Sequence, residues 1–88
     1  MLDRIRIQKI ISSEIGRQMG FDVDETLRII YSDSLEGLNM DSLDIVELIP
    51  ELELRFGIDF TEDEIDENFK MKSTVREITQ FIEKKLGI

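Results

Sequence analysis

Apolar residues recur at helical spacing in three stretches of the chain, and no sustained apolar–polar alternation marks a strand. In residues 2–19 the apolar positions are Leu2, Ile7, Ile10, Ile11, Ile15 and Met19, and Gly20 stands where that helix would stop. Gly16 lies inside the stretch and weakens its last turn by about 1 kcal/mol relative to alanine. The clearest helix opens at Asp41, a good N-cap, with Asp44 at the third helical position, where a carboxylate suits the positive end of the dipole. It runs to about Phe56 and ends at Gly57. A capping box of Thr61 and Glu64 predicts a short helix next. A second box, Thr74 with Glu77, opens a final helix with Val75, Ile78, Phe81, Ile82 and Leu86 on its apolar side and Gly87 at its end.

Residues 21–40 form a connection too long for a compact domain unless it is functional or folded on itself. Leu27, Ile29, Ile30, Tyr31, Leu35 and Leu38 give it apolar surface to pack, so it reads as an ordered loop with a helical turn near residues 26–30. The expected fold class is all-α: a four-helix bundle of three main helices plus one short helix, with a long first loop. One domain spans 1–88, without repeats or low-complexity segments.

Each residue of the central helix advances by about 100°. Ile45, Val46, Ile49, Leu52 and Phe56 gather on one side, which reads as core. Leu43, Glu47, Pro50, Glu51 and Leu54 occupy the other. Leucines among carboxylates on a solvent face suit a docking surface, with the leucines giving contact area and the acids steering basic partners; isolated exposed leucines are also ordinary. Pro50 removes one helical hydrogen bond and predicts a bend away from itself, with water satisfying the Val46 carbonyl. Leu52 and Phe56 continue the core stripe, so the helix runs past it.

Charge sharpens the picture. The formal net charge is -9, and residues 33–67 hold thirteen of the twenty acids with one base, Arg55, whereas residues 1–20 hold four bases against two acids. Such a concentrated field repels nucleic acid and anionic membranes, favours partners with basic patches, and costs stability through self-repulsion. The chain has no Cys and no His, which removes disulfides, common zinc ligands, thiol nucleophiles and the side chain that titrates near neutrality. No glycine-rich phosphate loop or nucleophile elbow supports an enzyme site. EF-hand spacing fails as well: counting from Asp22 or Asp59, the sixth position is Leu27 or Glu64, where glycine is needed. No metal site is expected. Arg4, Arg6 and Lys9 interrupt the N-terminal apolar residues, so no signal peptide is read there and a cytoplasmic protein is the expectation.

Asp-Ser-Leu occurs twice, at residues 33–35 and 41–43. Alone it is cheap, because Asp-Ser pairs open many helices for capping reasons. The first copy runs into Gly37 and loop; the second opens the long amphipathic helix, in the setting Leu35-Glu36-Gly37-Leu38-Asn39-Met40-Asp41-Ser42-Leu43-Asp44-Ile45-Val46-Glu47-Leu48. That stretch resembles the phosphopantetheine attachment region of acyl carrier proteins of fatty-acid and polyketide synthesis. The likeness continues through Leu52-Glu53, Phe56, the turn Gly57-Ile58-Asp59-Phe60, the acidic residues 61–66, Thr74-Val75 and Phe81-Ile82, covering about residues 35–83.

The resemblance implies a non-enzymatic carrier with covalent 4'-phosphopantetheine, derived from coenzyme A, on Ser42, flanked by Asp41 and Leu43. Acyl intermediates would ride as thioesters on the arm and be presented to fatty-acid or related biosynthetic enzymes. It also implies partner contacts by Asp44, Val46, Glu47, Glu51, Glu53 and Leu54. The implied partners are a phosphopantetheinyl transferase and acyltransferases, ketosynthases and other acyl-processing enzymes with basic patches, met by a monomer that inserts into no membrane and binds no nucleic acid. Carriers of an amino acid or peptide intermediate (D-alanyl or peptidyl carriers) share fold and arm and remain the alternative. Two departures stand out. Asn39 replaces the glycine the family commonly has three residues before the serine, and asparagine tolerates a left-handed backbone. Pro50 on the docking face suits a dedicated secondary pathway.

Overall fold

The computed structural model describes residues 2–88 and contains five α-helices: α1 (Arg4–Met19), α2 (Val23–Leu27), α3 (Ser42–Phe56), α4 (Glu62–Asn68) and α5 (Val75–Leu86). The expected all-α architecture is present, with long α1, α3 and α5 and short α4. A further short helix, α2, and a 3-10 turn at Glu36–Leu38 lie inside the first connection. No strand forms among the described residues; one isolated antiparallel bridge joins Ser34 to Thr74.

Each helix begins where a side chain satisfies its free N–H groups. Asp3 accepts from the Arg6 amide at 2.9 Å to start α1, and Thr61 and Thr74 form complete capping boxes with Glu64 and Glu77. Gly20, Gly57 and Gly87 close α1, α3 and α5 in the left-handed conformation. The helical turn expected near residues 26–30 lies earlier, at Val23–Leu27. Asp22 accepts from the Glu25 amide at 2.8 Å and Glu25 accepts from the Asp22 amide at 3.1 Å, a capping box that decides the start where apolar spacing does not. Val23, Leu27 and Ile30 point to solvent, while Ile29, Leu35 and Met40 are the buried residues of the connection.

Helix α1 packs against α5, α3 and α2, and α4 rests on α5. Ile7, Ile11 and Ile15 of α1 meet Leu48 and Leu52 of α3 and Val75, Ile78 and Ile82 of α5 in one buried cluster. Phe60 and Phe69, at the two ends of α4, have ring centroids 5.3 Å apart, and Phe60 lies 5.4 Å from Phe81 of α5. Lys85 donates to Glu64 at 2.7 Å, tying α4 to the end of α5. Two corrections concern α3. Val46, assigned to the core by the helical wheel, is 63% exposed, and Leu48, which the wheel left out, is fully buried. The helix continues unbroken through Pro50, as the core stripe required.

The long connection is held from the far side. Leu35 and Glu36 amides donate to the carbonyls of Ser73 and Met71, and Val75 and Arg76 amides donate to those of Asp33 and Tyr31, at 2.8–2.9 Å. These four bonds fasten the approach to α3 onto the turn before α5.

Candidate functional site

Three local devices set the start of α3. Met40 is buried and its amide donates to the Leu35 carbonyl at 3.1 Å, which anchors the chain just before the cap. Asn39 turns the backbone with φ 67° and ψ 23°, the left-handed conformation that the replacement of glycine demanded. Asp41 then accepts from the Asp44 amide at 2.9 Å while Asp44 accepts from the Asp41 amide at 3.0 Å. The predicted cap is thus a full capping box.

Ser42 is the first residue of α3 and is exposed. Its hydroxyl and the amides of Ser42 and Leu43 have no hydrogen-bond partner among the described residues. An exposed hydroxyl beside free N–H groups at the positive end of a helix suits a phosphodiester, because the backbone dipoles favour an anion there by about 0.3–1 kcal/mol. That interaction works against the neighbouring Asp41 and Asp44 carboxylates. The site therefore fits the group the resemblance implies. Ser34 does not: it is half-buried, its hydroxyl oxygen accepts from the Gly37 amide at 3.0 Å, and it forms the bridge to Thr74.

A groove of about 320 Å³ opens beside Ser42, bounded by Ile45, Val46 and Ile49 of α3 and by Ile65, Phe69 and Met71 across from them. Leu52, on the same side of the helical wheel, is fully buried in the core and lies outside the groove.

The expected docking residues separate into two groups. Leu43, Val46 and Leu54 are 65%, 63% and 78% exposed, and Glu47 and Pro50 are exposed between them, so they share one solvent surface. Asp44, Glu51 and Glu53 are half-buried and engaged within the chain. Asp44 caps its helix, Glu51 accepts from Arg17 at 2.9 Å, and Glu53 accepts from the Phe60 amide at 2.8 Å, closing the turn after α3.

Sequence reasoning missed Glu14. It is only 3% exposed on the inner side of α1 and accepts from Arg17 at 2.5 Å and from Arg55 of α3. Burial pushes its carboxyl up, but the hydrogen bonds from Arg17 and then Arg55 outweigh burial and hold it below the ordinary carboxylate value. The signal was present: Glu14 lies one and two turns from Ile11 and Ile7, on the apolar side of α1. No group of three or more His, Cys, Asp or Glu side chains is arranged to hold a metal ion among the described residues. No described helix is long and apolar enough to cross a membrane.

The chain matches the family profile described as the phosphopantetheine attachment site over residues 6–82. It is 34% identical over 82 residues to the acyl carrier protein of Thermotoga maritima, covering 93% of this chain and 89% of that one. It is also 34% identical over 77 residues to the acyl carrier protein of Buchnera aphidicola subsp. Baizongia pistaciae, covering 88% of this chain and 91% of that one.

Proposed function

Because this chain belongs to the phosphopantetheine-attachment family of acyl carrier proteins, we propose that Ser42 carries its 4'-phosphopantetheine and that the exposed face of α3 presents the cargo to biosynthetic enzymes. The single observation that carries the assignment is the free, exposed hydroxyl of Ser42 at the first position of α3, set against the occupied hydroxyl of Ser34. When bound, the arm supplies the thiol that this Cys-free chain lacks and holds an acyl group as a thioester. The chain's own residues do the rest. Asp41 and Asp44 hold the first turn rigid, and Met40 and Asn39 aim it outward. The amides of Ser42 and Leu43, free among the described residues, would hold the phosphodiester's charge. The groove between α3 and α4 offers apolar shelter for part of an acyl chain through Ile45, Ile49 and Ile65.

On this reading the protein is a carrier and not a catalyst, works in the cytoplasm as a monomer, and serves fatty-acid or related synthesis. Leu43, Val46, Glu47, Pro50 and Leu54 form the contact surface for a phosphopantetheinyl transferase and for acyl-processing enzymes with basic patches. Incubation with coenzyme A and a broad-specificity transferase, followed by intact-mass measurement, tests the assignment. Wild type and Ser34→Ala gain the mass of the arm, and Ser42→Ala does not. An unmodified wild type, or arm found on Ser34, overturns it.

A further inference from the structure

The proposed docking surface is bordered by a cleft of about 490 Å³ between α1 and α3. Glu14, Arg17 and Gln18 form one wall, and Glu47, Pro50 and Glu51 the other. Arg17 spans it. One guanidinium nitrogen, Nη2, donates to Glu14 Oε2 at 2.5 Å and to Glu51 Oε2 at 2.9 Å. The two limbs differ. Glu14 is 3% exposed and also holds Arg55, so its charge is locked into the fold. Glu51 is 45% exposed on the partner-facing helix and has no other cation on it among the described residues. Arg17 itself is 65% exposed. The limb to Glu51 is therefore a water-screened surface pair, easily exchanged, whereas the limb to Glu14 persists when the other is broken.

We propose that Arg17 is a built-in competitor for Glu51: an internal guanidinium that an incoming Lys or Arg of a partner must displace, leaving Arg17 on Glu14 beside the partner. This rests on the reading of α3 as the docking face. The exchange replaces one ion pair by another of the same kind, so Glu51 contributes little net attraction and Glu47, one turn earlier and unpaired among the described residues, contributes most. A displaced Arg17 also leaves a positive charge at the rim of the interface. A partner that carries a carboxylate next to its base recovers that charge, and a uniformly basic surface does not. Arg17 thereby sorts partners by requiring a base flanked by an acid, a repulsive device for specificity that the strongly negative face alone would lack.

The test uses the unloaded protein and a phosphopantetheinyl transferase with a basic docking face, with Kd measured at low salt. Arg17→Met is compared with Lys9→Met, which removes the same charge from α1 but faces Thr26 and Leu27. Arg17→Met should tighten binding about two- to fivefold more than Lys9→Met does, the range expected of one exposed ion pair. The gain should vanish in Arg17→Met/Glu51→Gln. Equal effects of the two charge removals, weaker binding, or a gain that survives Glu51→Gln overturns the proposal. Should Arg17→Met perturb folding, Glu51→Gln and Glu47→Gln decide the same question in the otherwise native chain. Glu51→Gln must weaken binding less than Glu47→Gln, and an equal or larger loss overturns the proposal. Intact-mass measurement after coenzyme A is added to the same samples separates the two ideas: failure to load Ser42 refutes the carrier assignment, while normal loading with a flat Arg17 response refutes only the competitor.

Discussion

Arg55 hydrogen-bonds the buried Glu14, so the single base within residues 33–67 is tied to α1 and its charge is met there by a carboxylate. The pair links α3 to α1 and predicts a pH response. Glu14's folded value lies below its ordinary 4.5, because hydrogen bonds from Arg17 and Arg55 outweigh burial. A carboxyl with a depressed folded value contributes its full stability above the unfolded value and loses it as pH falls through the folded one. Glu14→Gln should cost about 1–3 kcal/mol at neutral pH, and the gap between variant and wild type should close as pH drops below about 4.5. Urea denaturation at several pH values reads this directly. A gap that stays constant from neutral pH down to about pH 3 contradicts it.

Asn39 stands three residues before Ser42 with φ 67°, the one described non-glycine residue with positive φ. A Cβ in this conformation crowds the following carbonyl, and asparagine offsets part of that strain with its short polar side chain. Asn39→Gly should leave stability unchanged or slightly raised. Asn39→Ala should cost about 1 kcal/mol, a fall of roughly 4–8 °C in melting temperature for a domain of this size. Asn39→Val should cost more, because a β-branched side chain fits the left-handed region worst. Equal melting temperatures for the Ala and Gly variants would show that the turn relaxes instead of straining.

The helix ends at Gly20, Gly57 and Gly87 and the starts at Asp41, Thr61 and Thr74 were legible because caps are local: a side chain reaches an amide three residues away, and sequence spacing reports that reach. Helix α2 was misplaced because it is only five residues long and turns Val23 and Leu27 outward, so apolar spacing pointed away from its true boundaries. Val46 was put in the core for a related reason. A helical wheel gives angles but not where the neighbouring helices stop, and α4 leaves room for Val46 to edge the groove. The exposed start of α3 at Ser42 was legible from its cap, whereas the engagement of Glu51 and Glu53 was not. Their partners, Arg17 and the Phe60 amide, depend on tertiary packing and on the path of a turn. Glu14 stayed hidden because a charged residue reads as solvated until two arginines converge on it.

The acids of α3 should divide by role. Glu47 is exposed and unpaired among the described residues, so Glu47→Lys should weaken transferase binding at low salt with little change in melting temperature. The loss should shrink as added salt screens the contact. Glu53 is half-buried and accepts from the Phe60 amide, so Glu53→Ala should cost about 1–2 kcal/mol of stability and leave affinity nearly unchanged. Paired melting and titration measurements on the two variants check the split. Unaltered transferase affinity in Glu47→Lys would remove the docking role from this face.

Gly16 offers a prediction in which two effects oppose. Inside α1, alanine normally gains about 1 kcal/mol over glycine through helix propensity. Here a Cβ would stand 2.2 Å from Thr26 Oγ1, 2.9 Å from its Cγ2 and 3.1 Å from its Cβ, because α2 packs directly on α1. The threonine is stiff at χ1 and its hydroxyl donates to the Asp22 carbonyl at 2.9 Å, so it cannot swing aside without giving up that bond. Overpacking of this kind costs about 1–3 kcal/mol, which exceeds the propensity gain. Gly16→Ala should therefore destabilise the protein and loosen α2, seen as faster amide exchange in residues 23–27. In a Thr26→Ala background the two nearest atoms are gone and the sign should reverse, with alanine at position 16 becoming the more stable residue. Stabilisation by Gly16→Ala in the native background would mean that helix propensity, and not the close approach of α2, governs this position.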